Sequence, residues 1–146
     1  MGIVATSADL RSDLMDDLVQ TSFAVAAVLT RVGAAHDLSL TLLRLLGILQ
    51  DRQPKMAELA DYLVLEKSTV SGLIDRAETR GLVQRSTTPE DGRSVRVGLS
   101  TKGRCLARTV EAEIAGALAP LTGRLTPQDQ RQVHTLLARM LTETAP

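Results

Sequence analysis

Two apolar stripes of helical spacing, set only three residues apart, constrain this chain more than any other feature. Leu59, Ala60, Leu63 and Leu65 share one face, and Val70, Leu73, Ile74 and Ala77 recur at i, i+3, i+4 and i+7, so each short helix has one stripe to bury. Only residues 64 to 66 separate them. That connection is too short for an antiparallel helix hairpin and predicts two helices at near right angles. Beyond Arg80-Gly81, a helix stop with glycine at the left-handed position, the period changes to two. Leu82, Val83 and Arg85 make one arm and Val95, Val97 and Leu99 the other, around the turn Thr88-Pro89-Glu90-Asp91-Gly92-Arg93, which predicts a β-hairpin. Helix, turn, helix and hairpin in this order predict a winged helix-turn-helix in a mainly α chain with a small hairpin, and make double-stranded DNA the first candidate partner. One residue disagrees. Val64 stands where such turns commonly carry glycine, and a β-branched residue with φ > 0 is strained, so a slightly different turn is expected there.

The second helix has the character of a reading helix. With Val70 buried, Ser68, Gly72, Asp75 and Thr79 project to the opposite side and Thr69, Ser71 and Arg76 flank them, each residue turning the helix by roughly 100°. This face is short-chained and polar, as entry into a major groove requires. Ser68, Thr69 and Ser71 can donate to phosphates or bases near the positive end of the helix dipole, and Arg76 has the fork for a guanine edge or a phosphate. At the hairpin tip, Arg93 is placed to enter a minor groove, with Asp91 bracing the loop. Taken singly, the helix face also reads as a solvated surface and Asp-Gly-Arg as a tight turn.

The flanks predict further helices. Residues 9 to 32 carry Leu10, Leu14, Leu18, Phe23 or Val25, Val28, Leu29 and Val32, with Gly33 as the stop. Ser39 caps a helix carrying Leu42, Leu43, Leu45, Leu46 and Leu49. A long helix from Thr101 to about Ala119 is closed by Pro120, and Thr126-Pro127-Gln128-Asp129 restarts one that carries Val133, Leu136, Leu137, Met140 and Leu141. The length fits a single domain over 1–146, with a DNA-binding lobe at 39–100 and dimerisation helices at 9–33 and 101–145. Apolar stripes at both ends are best buried across a two-fold axis, which makes a second copy of the chain the expected partner and a pseudo-palindromic site the expected target.

Composition narrows the function classes. Net charge is zero, but Lys67 to Arg104 holds eight basic residues against four acidic, leaving +4 there and −4 elsewhere, a segregation that favours one basic face. Phe23 and Tyr62 are the two aromatic residues, too few for the stacking platforms of RNA or single-strand binding. His36 and His134 are the two histidines and neither lies in a nucleophile motif; no phosphate loop, metal spacing or cofactor motif appears, so no enzyme, metal or cofactor is expected. No apolar run reaches the ~18 residues of a membrane span, and the start lacks signal-peptide character, so a cytoplasmic location is expected. Cys105, the sole cysteine, is expected in the core; Lys102, Arg104 and Arg108 beside it keep it a candidate oxidant sensor.

Leu59-Ala60-Asp61-Tyr62-Leu63, Lys67-Ser68-Thr69-Val70-Ser71, Ile74-Asp75-Arg76, Arg80-Gly81-Leu82-Val83-Gln84-Arg85, Pro89-Glu90-Asp91-Gly92-Arg93 and Leu99-Ser100-Thr101-Lys102-Gly103 together resemble the MarR family of bacterial regulators across essentially the whole chain. The resemblance implies a homodimeric winged-helix transcription factor, usually a repressor, often released by phenolic or other lipophilic ligands. It assigns DNA contact to Lys67, Ser68, Thr69, Ser71, Gly72, Arg76 and Arg93, and the wing brace to Asp91. It implies an effector region between the dimerisation helices and the DNA-binding lobe, with Phe23, Arg31 and His36 as candidate contacts for an aromatic or other anionic ligand. Redox-sensing relatives carry a cysteine near the first helix, which this chain lacks. Val64 for glycine and Ala77 for leucine depart from the pattern. The alternative is a helical dimer that binds a ligand or protein partner with little DNA affinity, favoured by zero net charge and by Asp75 on the reading face.

Overall fold

The computed structural model describes residues 6–87, 92 and 94–142. Six helices and one antiparallel hairpin follow in the order α1 (Ser7–Ala34), α2 (Leu40–Ile48), α3 (Met56–Leu63), α4 (Lys67–Thr79), β1 (Val83–Thr87), β2 (Val95–Leu99), α5 (Thr101–Thr122) and α6 (Pro127–Thr142). The chain divides into two compact units, one ending at Ile114 and one beginning at Ala115.

In the first unit, α2 is the centre of the core. Ser39 caps it by accepting from the Leu42 amide at 3.1 Å, and Leu42, Leu43, Leu45, Leu46 and Ile48 are buried. Leu59 of α3, Val70, Ile74 and Ala77 of α4, Leu82 before the hairpin and Val97 of β2 complete it, each no more than 1% exposed. In the hairpin Val83 pairs with Leu99 and Arg85 with Val97. On its other edge β2 meets the segment before α3, where the Val97 amide donates to the Pro54 carbonyl at 3.0 Å; this backbone bond seats the hairpin against the helix-turn-helix.

Three helix ends share one device. Asp37, Val64 and Gly81 all have positive φ (55°, 54° and 72°). Around each, two amides fold back on the last helical turn: Leu38 to Gly33 and Asp37 to Ala34, Leu65 to Ala60 and Val64 to Asp61, Leu82 to Ala77 and Gly81 to Glu78. This is the pattern of a Schellman motif. The turn expected to deviate at Val64 therefore keeps the left-handed geometry. Its side chain is 87% exposed, so only the backbone strain opposes it, and two hydrogen bonds outweigh that strain.

Two expected stops are corrected. Gly33 lies inside α1 rather than ending it, because the left-handed residue is Asp37; a Cβ at Gly33 would stand 2.6 Å from the Leu38 carbonyl oxygen, so its role is close approach. Pro120 falls within the last turn of α5, which continues to Thr122. There the absent amide costs only one bond, to the carbonyl of Gly116.

In the second unit, Thr126 and Asp129 form the expected reciprocal cap of α6, with the Asp129 amide donating to Thr126 Oγ1 at 3.2 Å and the Thr126 amide to Asp129 Oδ2 at 3.3 Å. No residue of α6 is buried. Leu136, Leu137 and Met140 are each over 40% exposed, and on α1 so are Leu10, Leu14 and Met15.

Candidate nucleic-acid interface

Helix α4 owes its orientation to its buried stripe. Val70, Leu73, Ile74 and Ala77 are buried, which turns Lys67, Ser68, Thr69, Ser71, Asp75, Arg76 and Thr79 to solvent and leaves Gly72 partly exposed. The N-cap, Glu66, makes no side-chain capping bond, so the first-turn amides stay open to an acceptor. A Cβ at Gly72 would stand 3.4 Å from Arg76 Nη1: the Arg76 guanidinium lies over Gly72, one turn back on the same face. Lys67, Ser68, Thr69, Ser71, Gly72 and Arg76 thus share one open surface. The two wing residues, Asp91 and Arg93, lie outside the described residues.

The acids of α4 are not left as free charges. Arg85, projecting from β1, donates from Nη2 to Asp75 Oδ1 at 2.7 Å and from Nη1 to Glu78 Oε2 at 2.5 Å. Its side chain is 29% exposed, and the hydrogen bond to Asp75 foremost raises the guanidinium above its ordinary pKa. Sequence reasoning placed Arg85 only as a strand residue. The missed signal was charge complementarity between the last turns of a helix and the strand that returns beside it.

Arg80, the α4 C-cap, does more than stop the helix. Its Nη1 donates to the Asp37 carbonyl at 2.6 Å and its Nη2 to the His36 carbonyl at 3.1 Å, fastening α4 to the α1–α2 turn. Lys102 Nζ donates to the Arg80 carbonyl at 3.1 Å, and Gly103 allows α5 to begin in contact with Leu82.

The candidate effector residues are dispersed. Phe23 is 75% exposed and Arg31 is exposed, while His36 Nε2 lies 2.9 Å from Glu113 Oε2. A cavity of about 240 Å³ opens instead among Leu29 of α1, Leu43 and Leu46 of α2, and Ala107, Val110 and Ile114 of α5, with Arg44 and Glu111 also in its wall. Cys105 is exposed, contrary to the expected core position, because Gly103, Ala107 and Val110 form the buried side of α5. Among the described residues no group of three or more His, Cys, Asp or Glu side chains is arranged to hold a metal ion, and no helix is long and apolar enough to cross a membrane.

Comparison with known proteins gives a consistent result. The sequence profile of the MarR family matches residues 36–94. The HTH-type transcriptional repressor Rv2887 of Mycobacterium tuberculosis (strain ATCC 25618 / H37Rv) is 33% identical over 84 residues, which are 58% of this chain and 60% of that protein. The match therefore spans less than two thirds of that repressor's length. Among solved structures, a MarR family transcriptional regulator from Silicibacter pomeroyi DSS superposes with a TM-score of 0.83 at 26% identity, covering 96% of this chain and 95% of the other. The transcriptional regulator PA3341 gives 0.77 at 30% identity, covering 89% and 96%.

Proposed function

The chain belongs to the MarR family, and from this premise we propose that it is a sequence-specific regulator of transcription, a homodimeric repressor that reads duplex DNA with α4. The observation that carries the reading is the division of α4 into a fully buried apolar stripe and an open polar face bearing Lys67, Ser68, Thr69, Ser71, Gly72 and Arg76. A helix held by one side and uncluttered on the other is what a major groove admits. Arg93 is assigned to the minor groove and Asp91 to the wing loop. The Asp75–Arg85 bond supports this reading over a dimer without DNA affinity, since the carboxylate that argued against phosphate contact is held by a guanidinium that offsets part of its charge.

The target is a pseudo-palindromic operator met by two copies of α4. The exposed apolar side chains of α1 and of α6 are assigned to contacts between copies, the only economical cover for stripes of this kind. A small lipophilic or aromatic anionic effector is assigned to the region of α1, α2 and α5, where Leu29, Leu43 and Val110 offer apolar contacts and Arg44 a cation; Phe23, Arg31 and His36, outside that lining, are candidates only for contacts beyond its walls. The apolar cavity of about 240 Å³ is larger than the ~150 Å³ that suffices for benzene. The regulator acts in the cytoplasm, without a cofactor. Oxidant sensing through Cys105 is testable separately: a Cys105→Ser protein that still answers an oxidant removes it.

Fluorescence anisotropy tests the main reading. The protein is titrated against the duplex upstream of its own gene and a scrambled duplex across a salt series, with Arg76→Ala and Arg93→Ala beside it. Operator binding should exceed scrambled binding by ~10³ or more, and both variants should lose that margin. Equal, weak and salt-sensitive binding to the two duplexes would return the reading to a partner-binding dimer. Titration of a confirmed complex with aromatic acids tests the effector assignment, and an unmoved DNA affinity removes it.

A further inference from the structure

Resting on the duplex-DNA reading, we propose that Asp75 is a specificity-determining residue: its carboxylate accepts a hydrogen bond from the N4 amine of a cytosine in the major groove, while Arg85, shared with Glu78, holds it in place and offsets part of its charge. A carboxylate on the outer face of a groove-entering helix is costly when unpaired, because it meets the phosphates with like charge. Asp75 stands about 140° around α4 from the buried Val70, and its side chain remains 63% exposed although paired. Arg85 occupies one oxygen, Oδ1. A carboxylate offers about four acceptor sites on its two oxygens, so acceptor capacity is left on the exposed side.

The chemistry of the groove then selects the base. Only cytosine N4 and adenine N6 donate from base edges in the major groove. Adenine sets its N7 acceptor beside N6, and a carboxylate has no proton to give it. Cytosine offers the amine without that adjacent acceptor. Gly72, one turn earlier on the same face, has no side chain to keep a base edge away, and the guanidinium of Arg76 lies across it. The face therefore presents an acceptor suited to cytosine beside a donor fork suited to guanine. Arg85 meets Asp75 from the strand side and holds Glu78 with its other nitrogen, so the guanidinium is fixed at two points and the carboxylate with it.

Selection from a duplex library with a randomised core tests the assignment without a known operator. The wild-type protein should enrich a motif with cytosine at one position in each half-site. Asp75→Asn should change that base to adenine, because an amide bonds N6 and N7 together, and Asp75→Ala should lose preference at that position alone, by roughly tenfold or more. Thermal melting of each variant verifies folding; Asp75→Asn is nearly isosteric and the site exposed. A motif that both variants reproduce unchanged overturns the assignment alone and leaves Asp75 an anchor for β1. A wild-type protein that enriches no sequence overturns the duplex-DNA reading, and this assignment with it.

Discussion

Val64 and Gly103 carry opposite errors of fit. Val64 holds φ 54° and ψ 47°, where a Cβ costs about 1–2 kcal/mol, and its exposed side chain returns no packing. Val64→Gly should therefore raise the stability of the fold by about 1 kcal/mol, after the greater flexibility of glycine in the unfolded chain is subtracted. A urea midpoint that falls would show that the valine side chain holds something unseen. Gly103 is the reverse case. A Cβ there would stand 1.9 Å from the Leu82 carbonyl oxygen, inside any permissible contact, so α5 must move. Gly103→Ala should cost roughly 2–3 kcal/mol or more and lower the melting temperature accordingly. The sequence warned of strain at Val64, because that depends on one residue's φ. It was silent on Gly103, since a glycine needed for approach looks like any other until the approaching strand end is in place.

At the scale of elements, the Arg80 side chain is the strap that matters most. It binds two consecutive carbonyls in the turn after α1, at His36 and Asp37, and Asp37's positive φ of 55° is part of how that turn is shaped. Arg80→Ala removes two charge-assisted bonds, each worth about 1.5–3 kcal/mol when the partners stay desolvated. Partial exposure of the site lowers this, and a total loss of about 1–3 kcal/mol is expected. Hydrogen exchange locates the effect: protection should fall first in the last turn of α4 and around residues 36 to 38. Uniform loss across the unit would assign Arg80 to global stability alone. The elements themselves were legible. Ser39, Thr126 and Gly81 sit where their capping chemistry predicts, and the stripe Val70, Leu73, Ile74 and Ala77 is buried as its spacing requires. The ends assigned to Gly33 and Pro120 were not, because a helix stops where its backbone finds other hydrogen bonds: α1 finds them at Asp37 and Leu38, and at the end of α5 the Gly123 amide bonds the Ala119 carbonyl and Gln130 Nε2 the Thr122 carbonyl, all beyond Pro120.

The whole molecule leaves apolar surface uncovered at both ends of the chain. Leu10, Leu14 and Met15 are 55% or more exposed on α1, and Leu141 of α6 is 71% exposed. Sedimentation velocity should show a dimer, and a Leu14→Glu, Leu18→Glu double variant should shift it to the monomer. Specific DNA affinity should then fall about a hundredfold or more, since two half-sites are no longer bound by one linked pair of reading helices. A monomeric wild-type protein would remove the two-fold operator from the proposal. Binding should also weaken steeply with salt, because the excess of basic residues lies between Lys67 and Arg104.

Periodicity, caps and turn chemistry act between residues a few positions apart, and these the sequence determined by itself: the order of elements, the buried stripe of α4 and the polar face opposite it. The resemblance to a known family was legible for the same reason, as short motifs at fixed spacing. Tertiary structure decided the rest. Arg85 finds Asp75 ten residues back, Arg80 finds carbonyls 43 and 44 residues away, and His36 finds Glu113 77 residues on. The same is true of the exposed side of α5 on which Cys105 falls, and of the cavity between α1, α2 and α5. Such pairings depend on which surfaces meet once the stripes are buried, and no local pattern encodes the partner. A charge read from the sequence as an obstacle to DNA is, in the folded chain, already bound to a guanidinium.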